Sequence, residues 1–160
     1  MANIDIRPAT SEDSGLILYF VRQLAIYEKA EHEVVATEED IRTALFCDSA
    51  GAEAVICNVD GEVAGFALYF FNFSTWQGKY GLYLEDLYVD PQYRGAGAGK
   101  ALLKHCGRVA LARGCGRFEW NVLDWNQPAI DFYESFGARP QHEWVGSRLE
   151  GEALRAFGAD

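Results

Sequence analysis

The sequence predicts a mixed α/β fold, a central sheet flanked by helices, and three observations carry that expectation. Two apolar runs, Ala54–Val59 and Val63–Phe73, are separated by Asp60-Gly61, a strong two-residue hairpin signal. A third run, Tyr80–Val89, follows and feeds through Asp90-Pro91 into a glycine-rich loop that opens a basic helix. Around these strands lie segments with apolar residues at helical spacing, which gives the order β-α-α-β-β-β-α-β-α-β.

Taken in order, Ile4–Arg7 reads as a short strand. Thr10 and Asp13 resemble a capping box, and Leu16, Phe20, Leu24 and Tyr27 then share one helical face. Thr37 and Asp40 cap a second helix through Ile41 and Leu45. The hairpin and the central strand come next, with a turn at Ser74–Lys79. The basic helix extends to about Arg113, its core face made by Leu102, Leu103, Cys106, Val109 and Ala110, and Gly114-Cys115-Gly116 ends it. Phe118–Leu123 forms a strand, Asn126 caps a helix through Phe136, Gly137 stops it, and Trp144–Leu149 supplies a last strand. No repeat, low-complexity stretch or linker interrupts the chain, so residues 1–160 are expected to form one domain.

Composition narrows the function. With 49% hydrophobic residues and 14% aromatic, the chain can bury a core, and it has no apolar run of membrane-spanning length. Its first residues read as neither a signal nor a transit peptide. Cys47, Cys57, Cys106 and Cys115 lack metal-ligand spacing and read as reduced residues of a cytoplasmic protein. His32, His105 and His142 are scattered, so no metal site is expected. A net charge of −10 argues against nucleic acid and anionic membranes as partners. Its distribution says more: Pro91–Phe118 holds six basic residues and no acid, so that segment is +6 and the remainder −16. A basic patch behind the loop suits a polyanionic cofactor, and the acidic remainder suits a cationic substrate. An ordinary solvated helix face is the plainer reading of Lys100, Lys104 and Arg108.

The loop, Arg94-Gly-Ala-Gly97-Ala-Gly99-Lys100, can receive phosphate on backbone N–H groups at a helix N-terminus. A Walker A reading fails, because position 94 is arginine and Ala101 follows the lysine, leaving magnesium no hydroxyl ligand. The dinucleotide fingerprint fails as well, because the glycines are spaced GxGxG and lie mid-chain.

What remains, Arg94-x-x-Gly97-x-Gly99 after a strand, resembles the cofactor signature of the GNAT superfamily of N-acetyltransferases. IRPAT, LAIYEKAE, STWQGK, YLEDLYV and VLDWNQPAIDFYESFGA extend the resemblance over nearly the whole chain. They point to the diamine acetyltransferase branch, which contains spermidine/spermine and thialysine acetyltransferases. The resemblance implies acetyl-CoA as co-substrate and a small cationic amine as acceptor, without a covalent enzyme intermediate. Within it, Tyr133 is the general acid, seven residues after Asn126 in the family's N-x-x-A/S-x-x-x-Y pattern, and Glu85 is the base, acting through water. Asp86, Tyr27, Glu28, Trp76 and Glu119 line the substrate groove. The backbone of Leu87, Tyr88 and Val89 takes pantetheine, with Leu87 N–H as oxyanion donor. Arg94, Gly95, Ala96, Gly97, Ala98, Gly99 and Lys100 take the diphosphate, and Asn126 touches the pantetheine or phosphate region. Adjacent strand residues point to opposite faces, so Glu85 and Asp86 share a side only if a bulge re-aims one of them. Such a bulge is a family feature. The branch further implies a homodimer to which C-terminal strands contribute, and the segment Gly137–Trp144 is shorter here than in human-type members. Other readings are acetylation of a protein or aminoglycoside amine, an acyl-CoA-binding module without turnover, and a P-loop hydrolase.

Overall fold

The structure, a computed structural model, describes residues 1–159. They form β1 (Ile4–Pro8), α1 (Ser14–Tyr27), α2 (Glu38–Leu45), β2 (Ala52–Val59), β3 (Glu62–Ser74) and β4 (Lys79–Val89). Then follow α3 (Ala98–Ala112), β5 (Phe118–Trp120), α4 (Gln127–Glu134) and α5 (Gly151–Gly158). The strands make one sheet in the order β1-β2-β3-β4-β5; the first three pairings are antiparallel and β4–β5 is parallel. The mixed α/β expectation holds. The chain divides into two compact units, Met1–Asn121 and a C-terminal unit beginning at Val122.

Local chemistry sets the element ends in the first unit. Thr10 N–H donates to Asp13 Oδ2 at 2.7 Å, and Arg7 holds the same carboxylate through two bonds of 2.8 and 2.9 Å. That arginine keeps the Asp13 carboxyl below its ordinary range. Thr37 and Asp40 form the reciprocal pair at α2, with bonds of 2.8 and 3.2 Å. Between β2 and β3, Asp60 (φ 50°) and Gly61 (φ 85°) take the left-handed conformation that a tight hairpin turn needs.

The sheet is covered on both faces. Ile17 and Phe20 of α1 pack on Ala54, Ile56, Phe66 and Tyr88, with Phe20 stacked on Phe66 at 5.4 Å between ring centroids. Strand alternation turns Val55, Cys57, Ala67 and Tyr69 to the other face, where α3 packs with Leu102, Leu103, Cys106 and Ala110 buried. Val109, expected on that core face, is only partly buried. At the end of α3, Arg113 pairs with Glu53 (2.7 Å for one of two bonds) and sits 4.7 Å over Phe71.

The C-terminal unit departs from expectation. Asn126 Oδ1 does accept from Ala129 N–H at 3.4 Å, so α4 starts where its cap was read. However, β5 ends at Trp120, and no strand forms at Trp144–Leu149; the next regular element is α5. A strand exists only against a partner edge, and the described residues offer that segment none.

Candidate active site

The site is built on a break in the β3–β4 ladder. Leu68 pairs with Asp86 and Tyr69 with Leu84, so Glu85 stands opposite no residue of β3. One extra residue on β4 reverses the alternation beyond it. Leu82 and Leu84 therefore lie on the α3 side with Tyr69, whereas Asp86 and Tyr88 lie on the α1 side with Leu68 and Phe66. The condition under which Glu85 and Asp86 could act together is met. The parallel pairing with β5 covers only Leu82, Tyr83 and Leu84, ending beside the bulge. From Glu85 to Val89, β4 pairs with β3 alone among the described residues, because β5 ends at Trp120.

Carboxylates gather around this point. Burial pushes the Asp86 carboxyl up to about 6, and the negative charges of Glu85 and Glu28 add to it. Glu28, just after α1, is likewise raised by desolvation and then by Glu85. Its position is fixed by the way α1 closes. Lys29 takes φ 61°, its N–H donates to Ile26 O at 3.0 Å, and Ala30 N–H reaches Ala25 O at 2.8 Å. These are the two bonds of a Schellman turn, with lysine where glycine is usual. Tyr83, opposite Glu119 in the β4–β5 register, is raised by burial, then by Glu85 and Glu119. The first unit thus brings Glu28, Glu85 and Asp86 within electrostatic reach of one another, with Glu119 beside Tyr83 on the neighbouring strand. An amine cation would relieve their mutual repulsion.

The glycine loop lies past the end of the same strand. Gly95 (φ 86°) and Gly97 (φ 91°) adopt left-handed backbone, and Gly97 is the N-cap of α3. A glycine cap supplies no side-chain acceptor, so the first N–H groups of α3 are left to a ligand or solvent. Arg94, Gly95, Ala96, Gly97 and Lys100 are exposed, and Lys104 and Arg108 are exposed further along α3. Arg94 Nε donates to Val89 O at 3.0 Å, joining the loop to the end of β4. This arrangement fits a diphosphate: open N–H groups, a positive helix end and cations beside it. Among the described residues, no cluster of three or more His, Cys, Asp or Glu could hold a metal ion.

The remaining predicted residues belong to the β3–β4 turn and to the C-terminal unit. Trp76 is 81% exposed in the β3–β4 turn. Glu85 lies six residue steps along the strand from Lys79, roughly 20 Å at the strand rise, so the acids stand well away from the turn. In the C-terminal unit, Tyr133 lies on α4, partly buried, with Phe132 and Phe136 rings at 5.8 and 6.2 Å. The Asn126 side-chain oxygen is used as the helix cap. Tyr83, two residues before Glu85 on β4, was not singled out by sequence reasoning, and the structure sets it beside these acids. Sequence reasoning also missed Gly65: a Cβ there would lie 2.3 Å from Tyr88 O, so only glycine lets β3 pass this part of β4.

A mixed sheet whose fourth strand bulges just past its short pairing with a parallel fifth, followed by a glycine-capped helix, is the frame of an acyl-CoA-dependent transferase. Residues 21–138 match the Acetyltransferase (GNAT) family, and the chain belongs to it. The chain is 41% identical to the thialysine N-epsilon-acetyltransferase of Sus scrofa over 97% of each chain. It is 34% identical to the L-ornithine N5-acetyltransferase of Arabidopsis thaliana, over 95% of this chain and 86% of that one. Among solved structures, an integron cassette protein from the mobile metagenome of V. cholerae superposes with a TM-score of 0.79 at 27% identity, over 98% of each chain. The protein is an acetyl-CoA-dependent N-acetyltransferase.

Proposed function

We propose that the protein moves acetyl from acetyl-CoA directly to the primary amine of a small cationic substrate, a diamine, a polyamine or a thialysine-like amino acid. The observation that carries this reading is the bulge at Glu85. It sets Glu85 next to Asp86 and within electrostatic reach of Glu28, just past the end of the β4–β5 pairing. Relatives named for thialysine and ornithine, both small amino acids with a side-chain amine, support the substrate class.

An alkylamine with a pKa of roughly 10 enters protonated and must lose a proton before it can attack. Asp86 and Glu28 hold the cationic substrate, and Glu85 Oε takes the proton through a water. Acetyl-CoA supplies the activated acetyl group as a thioester. Gly95 to Lys100 and Arg94 hold its diphosphate on backbone N–H groups and cationic side chains. Leu87 N–H meets the oxygen on which negative charge develops. The Tyr133 hydroxyl gives a proton to the departing sulfur, whose pKa is roughly 8.5 by analogy with cysteine. Cytoplasmic placement belongs to the same proposal and rests on the four free cysteines.

The test is free-thiol release from acetyl-CoA against spermidine, spermine, putrescine, thialysine, lysine, ornithine and an aminoglycoside. Turnover on a small amine is expected, with kcat about 10²–10⁴-fold lower in Tyr133→Phe and Glu85→Gln. No turnover on any small amine, with CoA still bound, would sink the small-amine reading and leave a protein substrate or a binding module.

A further inference from the structure

We propose that Tyr27 is a positioning residue for the cofactor arginine: with Tyr88 it holds the Arg94 guanidinium in place before the diphosphate arrives. The proposal rests on the reading that the Arg94 loop binds CoA. It gives Tyr27 a task on the cofactor side of the site as well as on the amine side.

The geometry is compact and lies within the first unit. The Arg94 guanidinium carbon is 5.5 Å from the Tyr88 ring centroid and 5.8 Å from that of Tyr27. Both distances are within cation–π range. The same side chain uses Nε on Val89 O and also donates a hydrogen bond to the Tyr88 side chain, and a guanidinium with five N–H groups still has donors for a phosphate. Tyr88 cannot drift, because it is buried and its ring lies 6.0 Å from Phe20 in the core. Tyr27 is half-exposed, but its backbone is fixed by the left-handed Lys29 and the two closing bonds of α1. Arg94 is therefore gripped by a strand end and by a helix end.

An arginine on an exposed glycine loop would otherwise sample many rotamers, and a ligand that used it would bear the cost of ordering it. A side chain already held loses less on binding, so the ligand binds more tightly without any new contact to it. The Tyr27 ring acts on CoA through Arg94 alone. Removing the ring should matter only while the arginine is present.

Calorimetric titration of CoA, with no amine added, separates the possibilities. Tyr27→Leu should weaken the Kd on the order of fivefold, whereas Tyr27→Phe, which keeps the ring, should bind CoA as the wild type does. Arg94→Gln should weaken binding as well, and adding Tyr27→Leu to it should cause no further loss. Tyr27→Met, with a flexible side chain of similar length, replaces the leucine variant if that one folds poorly. A wild-type Kd in both Tyr27→Leu and Tyr27→Met, or losses that multiply in the double variant, would overturn the proposal. If the wild type itself fails to bind CoA, the reading of the loop has failed first and Tyr27 falls with it.

Discussion

Asp86 shows at the scale of one residue how the site trades stability for use. Its carboxyl is raised from 3.8 to about 6, first by burial and then by Glu85 and Glu28. Below pH 3.8 it is protonated in both folded and unfolded chains and has no effect. Between 3.8 and 6 the folded state holds a proton that the unfolded state releases, so stability falls as pH rises through that window. Above about pH 6 the whole penalty is present, on the order of 3 kcal/mol if nothing compensates. Asp86→Asn should therefore raise Tm at pH 8 and leave it nearly unchanged at pH 4, as scanning calorimetry would register. The same variant should raise KM for the amine, because the charge that costs stability is the one that binds a cation. Equal Tm gains at both pH values would show that lost charge is not the cause.

The β3–β4 pair sets the site at the scale of elements, and Gly65 makes the close pairing possible. Opposite Val89, it has the Tyr88 carbonyl 2.3 Å from where a Cβ would lie, and backbone cannot yield as a side-chain tip can. Gly65→Ala should cost about 2 kcal/mol or more, read as a fall in the urea midpoint at constant m. An unchanged midpoint would mean that β4 shifts freely, which the bulged register makes hard to reconcile with a fixed Glu85. Features of this kind divide what a sequence reveals from what it withholds. The boxes at Thr10 and Thr37, the Asp60-Gly61 turn and the glycine entry to α3 were readable because each closes on its own neighbours. The loop's ligand was readable by chemistry, from the residues that ruled out magnesium and dinucleotide. The bulge was expected only by resemblance. It arises from how Leu68 and Tyr69 register against β4, and nothing within Leu84–Asp86 encodes that. The Tyr27–Arg94 contact was hidden for the same reason, since it joins residues far apart in the chain. The strand expected at Trp144–Leu149 did not form because alternation proposes a strand and only a partner edge makes one.

That missing partner returns at the scale of the whole molecule. From Val122 to Ala159 no residue is buried, and Trp144 (66% exposed), Val145 (87%) and Leu149 (51%) lie in a segment without regular structure. Leu154 and Phe157 of α5 are exposed as well. A stretch this apolar in which no residue is fully buried has no closed core of its own, and exposed apolar side chains in this number mark an interaction site. A second copy of the chain is the occupant we propose, as the branch resemblance implies. It would give Trp144–Leu149 the edge that the single chain withholds. Repulsion is no obstacle, because Trp144–Leu149 carries only Arg148 among its six residues, although the chain is −10 overall. Light scattering on the eluting protein at micromolar concentration should therefore give twice the 17.8 kDa chain mass. Val145→Asp with Leu149→Asp, which places two charges on the surface that must be desolvated, should shift it to monomer. A wild type that remains monomeric at tens of micromolar would leave that surface to another partner. It would also require the amine groove to be complete within one chain.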